Sequence, residues 1–242
     1  MEQLKVDFDK VIESLKLSEE SINSRKKNFN QFVENGFPNK RVEDWKFSDL
    51  NQIISANIEN LSFYNDVELG EIDETIFIDK FEHNKIIFLN GVISKINFSL
   101  EDDTKVLITR DLNKNENSKE VNPLVSLNNA LIASYIGITV KENYSLNKPI
   151  IIYNITTKEL KSTAINLKID ITLEKNSSLK LINLLYDNSE NNFINTVQNF
   201  DIAQDAILKS YKIDHKKNSN IKYSYNNINL EKNSISENFI FS

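Results

Sequence analysis

The sequence predicts a mostly β chain, a parallel β-solenoid preceded by an N-terminal α-helical region. Three observations carry this reading. The hydrophobic period changes from helical to alternating near residue 57. From residue 138 a unit of about 30 residues recurs four times. Glycine (4) and proline (3) are scarce, while Asn or Asp stands at one fixed offset in every unit.

The repeat is the strongest of the three. Stretches 138–146, 171–179, 200–208 and 228–236 read ITVKENYSL, ITLEKNSSL, FDIAQDAIL and INLEKNSIS, with starts 33, 29 and 28 residues apart. In each, two apolar residues alternate, and then Asn143, Asn176, Asp205 or Asn233 precedes a second strand. Alternation turns one strand face inward, and Asn or Asp tolerates the left-handed backbone of a tight corner. A unit this short cannot bury its own apolar face, so successive units must stack. Ile138, Val140, Ile171, Leu173, Ile202 and Leu230 are therefore expected to form parallel columns. In the fourth copy Ile235 stands one place early, which reads as a slip. A β-sandwich also alternates, with turns every 8–12 residues or so, but the even spacing favours the solenoid.

Two helices open the chain. Phe8, Val11, Ile12 and Leu15 mark the first. Ser18 reads as the N-cap of the second, followed by Glu19 and Glu20 in its first turn. Ile22, Phe29, Phe32 and Val33 form its buried stripe, Gly36 ends it, and Pro38 prevents it from resuming. Trp45 and Phe47 are expected to anchor the following segment on a core, with Ser48 capping a short helix through Ile54. Residues 1–56 thus form a helical region and 57–242 a β-helical core that is incomplete at its C-terminal end. Within the core, 75–78, 85–89 and 105–108 read as short strands. A helix is expected over 123–133, with Asn122 as cap, Pro123 at its first position and Leu124, Leu127 and Leu131 buried. Residues 113–119 read as an exposed loop. The Asn content could mark ladders in a solenoid or a prion-like tract, but it reads as an AT-rich coding bias, because it is interspersed with apolar positions and forms no tract.

Composition excludes several functions. A net charge of −6 leaves no basic footprint for nucleic acid. The absence of cysteine rules out thiolate ligands, disulfides and a cysteine nucleophile, and it fits a reducing compartment. The polar start and the lack of a membrane-length apolar run point to a cytoplasmic, soluble chain. His83 and His215, the two histidines, have no nearby ligand partner at metal spacing and read as exposed turn residues. Glu101, Asp102 and Asp103, and the pair Asp170 and Glu174, suggest calcium or carboxylate chemistry, but they read more simply as solvated turns and strand edges. The four glycines are too far apart for a phosphate loop. No catalytic residue, metal site or cofactor site is expected, and the chain is not expected to be an enzyme.

One segment carries a family resemblance. Phe37, Pro38, Arg41, Glu43, Asp44, Trp45, Lys46, Phe47 and Leu50 resemble the N-terminal signature of the SufD proteins. The order Phe-Pro, Arg, Glu-Asp/Asn-Trp-Lys, aromatic, Leu distinguishes them from SufB. Asn122, Pro123, Leu124, Leu127, Asn128, Asn129 and Ala130, with Gly137, Ile138, Val140, Lys148, Pro149 and Ile150, resemble the start of the SufB/SufD core. Asn195 near the end of a strand, with Ala206, Leu208, Tyr211, Lys212 and Ile213, resembles one of its coils.

The resemblance implies a right-handed parallel β-helix between helical regions. It implies a scaffold subunit of the SufBCD complex in iron–sulfur cluster assembly, paired with SufB and served indirectly by the SufC ATPase. Phe37, Pro38, Arg41, Glu43, Trp45, Lys46 and Leu50 become structural or docking residues. Two rival roles exist for Arg41, Glu43 and Lys46: a partner surface, or a clamp of the helices on the first coil through Trp45 burial and local charge pairing. The latter is favoured. No cofactor is expected on the chain alone, and a nascent cluster only with its partners. The family's C-terminal domain docks SufC, and a downstream histidine takes part in cluster work. The sequence stops at Ser242 without a match to either. The chain thus reads as a fragment or a truncated relative that fails to capture SufC. A truncated stand-alone solenoid acting as an interaction module is the alternative.

Overall fold

A computed structural model describes residues 2–67, 72–114, 122–214 and 219–241. His215 lies outside these residues, as does most of the loop expected at 113–119. The architecture is a β-solenoid of about 4 turns behind N-terminal helices, with 40% strand and 25% helix.

The helices are α1 (Glu2–Ser14), α2 (Glu19–Asn35) and α3 (Leu50–Asn57), with α4 (Pro123–Leu131) inserted before the first full turn. Their ends follow local chemistry. Ser18 Oγ accepts from Ser21 N at 3.2 Å, and Asn122 Oδ1 accepts from Leu124 N and Val125 N. Gly36 ends α2 at φ 66°, where its N–H reaches Phe32 O. The cap of α3 differs from expectation. Asp49, not Ser48, accepts from Gln52 N, because Asp49 is the residue adjoining the first helical position.

The strands are β1 (Asn84–Leu89), β2 (Val92–Asn97), β3 (Val106–Thr109), β4 (Tyr135–Val140), β5 (Ile150–Thr156), β6 (Ala164–Leu173), β7 (Ser178–Asp187), β8 (Phe193–Ile202), β9 (Ile207–Asp214), β10 (Ile221–Leu230) and β11 (Ile235–Phe241). They form two sheets, ordered β2-β1-β5-β7-β9-β11 and β3-β4-β6-β8-β10. All pairings are parallel except β1 with β2 and β3 with β4, which close the first end. The repeat is the register itself: Ile138 pairs with Ile171, Ile171 with Phe200, and Phe200 with Ile228. Val140, Leu173, Ile202 and Leu230 form the next column in the same way. The fourth unit does not slip. Ile235 pairs with Ile207 and Ser236 takes the place of Leu208, so a polar residue occupies the apolar column at the exposed end.

The corners explain part of the Asn content. Asn143, Asn176, Asp205 and Asn233 have φ of 60°, 57°, 59° and 59°. Their side chains also bond between turns, Asn176 to Asn143 at 2.9 Å and Asn233 to Asp205 at 3.0 Å. Coding bias is therefore an incomplete account, because these amides form ladders.

The solenoid interior is the largest apolar cluster, and two further clusters cover its outer faces. The helices pack outside the five-stranded sheet over Ala164 and Phe193. Helix α4 is buried all round rather than on one stripe, because α2 covers it on one side and β6 and β8 on the other. Arg25 on α2 is 0% exposed and donates from Nη1 to Ala130 O and Ile132 O, the orphan carbonyls at the α4 C-terminus. Burial lowers its guanidinium to about 10.

Outside the six-stranded sheet, Ile72, Ile76, Phe77 and Ile78 cover Ile151, Tyr153 and Leu184. The strand expected at 75–78 is instead a 3-10 turn, Glu74–Ile76. Asp73 Oδ1 accepts from Thr75 N and Oγ1, which curls the backbone away from ladder pairing while its apolar side chains still bury. The sequence reading also missed β2, which returns from the Asn90–Gly91 turn with φ 49° and 85°.

Candidate functional site

Interior chemistry changes along the solenoid axis. In the six-stranded sheet one inward column runs Ile86, Ile152, Asn183, Lys212 and Ile240. In the facing sheet, Ile165 and Ile194 give way to Lys222, Leu167 to Thr196 and Ser224, and Ile169 to Gln198 and Asn226. Strand pairing places every successor directly above its predecessor, so these polar residues continue the inward columns toward the open end, where Ser224 and Asn226 are exposed. Together they line a cavity of about 30 Å³ bounded by Asn154, Asn183, Gln198, Lys212, Lys222 and Ser224.

Two lysines meet two aspartates here. Lys222 Nζ lies 3.3 Å from Asp187 Oδ2 and 3.1 Å from Asp214 Oδ1. Asp187 is almost wholly buried, and its Oδ1 also accepts from Thr156 Oγ1 and Asn220 Nδ2. That network holds the charge of Lys222 in place. Lys212 Nζ instead donates to Ser224 Oγ at 2.6 Å. Burial pushes the Lys212 ammonium below the ordinary lysine value, Asp214 opposes that shift, and Lys222 reinforces it. Gln198 Nε2 and Asn154 Oδ1 are buried with no hydrogen-bond partner among the described residues. The chamber thus presents an amine, an amide donor and an amide acceptor to one small volume. The sequence signal was available: polar residues fall on inward positions of β7 to β10, at the same phase as Ile152 and Ile169.

The family-motif residues sit elsewhere, where the helices meet the sheet. Phe37 packs edge-on against Phe32 at 5.2 Å and against Phe193 at 5.7 Å, and stacks on Phe63 at 6.3 Å. Pro38 O accepts from Leu50 N at 3.0 Å, closing the loop between them, and both residues are buried. Trp45 is half-buried with its ring 5.9 Å from that of Tyr223 on β10. Phe47 does not anchor the segment: it is 87% exposed, with Lys46 Nζ 5.1 Å above its ring. Arg41, Glu43 and Lys46 are exposed, and no ion pair among the described residues involves them. The clamp is therefore aromatic rather than electrostatic, because the short 3-10 turn Glu43–Trp45 points its charges into solvent.

The remaining candidates are structural contacts. Glu101 accepts from Asn84 Nδ2, Tyr144 Oη and the backbone of Asn147 and Lys148, tying three segments together. Burial raises its carboxyl, but those hydrogen bonds outweigh the burial and hold it below the usual carboxylate value. Asp102 turns back onto Thr104. Asp170 accepts from Asn199 Nδ2 at 2.6 Å while Glu174 pairs with Lys141 at 2.7 Å, so they form no joint site. His83 is not a free turn residue. It is half-buried, with Nε2 3.0 Å from Tyr153 Oη and Nδ1 3.0 Å from Phe81 O, and Ile78 N donates to the same Tyr153 oxygen. Asn195 lies near the start of β8, not its end, and donates to Leu124 O and Asn166 Oδ1.

Among the described residues no group of three His, Cys, Asp or Glu side chains is placed to hold a metal ion, and no helix is long and apolar enough to cross a membrane. Compared with family models and with curated proteins, the chain matches none.

Proposed function

We propose that this chain is a SufD-type scaffold subunit, which pairs with SufB in iron–sulfur cluster assembly. One observation carries the reading. The segment that resembles the SufD signature forms the hinge between the helices and the solenoid, with Phe37 wedged among Phe32, Phe63 and Phe193. Trp45 reaches the last five-stranded-sheet strand through Tyr223. A signature that seats helices on a parallel solenoid supports this reading, because the resemblance implies that same architecture. The chain works in the cytoplasm, is not an enzyme, and carries a nascent cluster only together with its partners.

A second reading is a stand-alone solenoid interaction module. The edge strands β10 and β11 favour it, because Leu230, Ile235, Phe239, Ile240 and Phe241 are exposed along them. Co-expression with SufB- and SufC-type proteins tests both. The scaffold reading expects this chain to retain SufB, and a version extended to the family's usual length to retain SufC as well. Failure to retain SufB in either form overturns the scaffold reading. Stoichiometric SufC with residues 1–242 alone overturns the placement of its docking determinant. Anaerobic reconstitution of the isolated chain should give no band near ~400 nm that tracks iron and sulfide.

A further inference from the structure

We propose that Lys212 is a nucleophilic amine, and that the interior chamber beside it captures small neutral aldehydes as an imine. This goes beyond the scaffold reading and rests on different residues. Lys212 and Lys222 share the chamber but are held differently. Lys222 is fixed by Asp187 and Asp214, whereas no carboxylate lies within ion-pair distance of Lys212 among the described residues. The Lys212 partner is a hydroxyl, Ser224 Oγ at 2.6 Å, which can relay a proton to or from the amine. Lining the same cavity is Gln198, a residue only 7% exposed whose Nε2 has no partner. A buried amide donor without an acceptor is costly, and a carbonyl oxygen would supply that acceptor.

The reaction balances within these groups. The Lys212 lone pair attacks the carbonyl carbon, a C–N bond forms, and the carbonyl π pair moves onto oxygen, where the Gln198 amide can donate to it. Proton transfer then lets the oxygen leave as water, giving the imine. The cavity is small, about 30 Å³, which favours the smallest carbonyl compounds. Charge selects the class. Asp214 on β9 and Lys222 on β10 act on the amine, and Asp187 on β7 pairs with Lys222, so with Lys212 protonated this cluster of four charges is neutral. A protonated imine keeps that balance beside Asp214, whereas an anionic carbonyl compound would leave the chamber negative. Burial also holds the amine below its ordinary value, which raises the neutral fraction available for attack.

Lys209, on the same strand, is the internal control, because pairing with Glu237 at 2.9 Å holds its ammonium above the ordinary value. The full chain is incubated with glycolaldehyde and cyanoborohydride at about pH 7.5, and trapped lysines are quantified by peptide mapping. Lys212 should be labelled severalfold faster than Lys209, because burial lowers one ammonium while pairing with Glu237 raises the other. Its rate should level off at a lower pH. Glyoxylate, which is anionic, should label Lys212 more slowly than glycolaldehyde does. Gln198→Leu, which leaves the amine in place, should lower the Lys212 rate and leave the Lys209 rate unchanged. Equal labelling of the two lysines, or glyoxylate reacting at Lys212 as fast as glycolaldehyde, would overturn the proposal.

Discussion

Ile136, Ile169, Gln198 and Asn226 stack in one inward column, two residues from the early turns and two from the late ones. The early pair are 0% exposed aliphatics within the main core. The late pair are amides, and Gln198 leaves a donor unmet. Backbone pairing is continuous across the change, with β6 to β8 and β8 to β10 in register over ten residues each. A parallel ladder therefore sets where a side chain points, without requiring that its neighbour above be apolar. The early turns use the interior for cohesion, where a fully buried Ile or Leu contributes about 1.5–3 kcal/mol. The late turns keep their cohesion near the Asn corners, through Phe200, Ile202 and Leu208, and leave the far side polar.

The sharpest way to break this comparison is to truncate one column at two heights. Ile169→Ala should cost about 3 kcal/mol, because it empties a closed aliphatic site. Gln198→Ala, one turn above, should cost less than about 1 kcal/mol, since it removes an amide donor that has no partner. Urea midpoints for the two variants decide the matter, and equal losses would mean that both ends are packed alike.

Corners should grade more gently. Asn176→Ala loses the left-handed preference at φ 57° and the bond to Asn143, for about 1–2 kcal/mol. Asn233→Ala, on the exposed last corner, should cost about half of that by the same measurement. Asn176→Gly should recover most of the loss, because glycine adopts this φ freely.

The smallest effect belongs to pH and to the early end. The Glu101 carboxyl is held below its ordinary value, so its folded form binds a proton less readily than the unfolded chain does. That stability is present above about pH 4.5 and is lost as the pH falls through the folded value. Glu101→Gln should flatten the acid limb of the melting temperature measured from pH 6 down to about pH 3. An unchanged acid limb would assign acid sensitivity elsewhere.

What could be read from the sequence follows the range of the forces involved. Ser18, Asn122 and Gly36 act on backbone groups within four residues, so their caps were visible locally. The corner residues Asn143, Asn176, Asp205 and Asn233 were visible because a solenoid repeats its local problem at each turn. Phe47 was misread because an aromatic beside Trp45 looks like an anchor, yet the side of the turn that meets the sheet is decided by packing. His83 was misread because its ring partner Tyr153, whose hydroxyl also accepts from Ile78 N, reaches it only once the cover packs over the outer sheet. The 75–78 segment carries strand-like residues, but Asp73 and its burial geometry made a turn of it.

Period and corner chemistry in the sequence alone thus determined that this chain stacks parallel turns behind helices, because alternation and left-handed Asn are properties of single strands and single corners. Tertiary structure alone decided the rest. It placed Arg25 on the end of α4, assembled the chamber of Lys212, Lys222, Asp187 and Asp214, and chose Tyr223 as the seat of Trp45. Each of these joins residues from different elements, and burial sets the strength of such contacts only once the chain has closed around them.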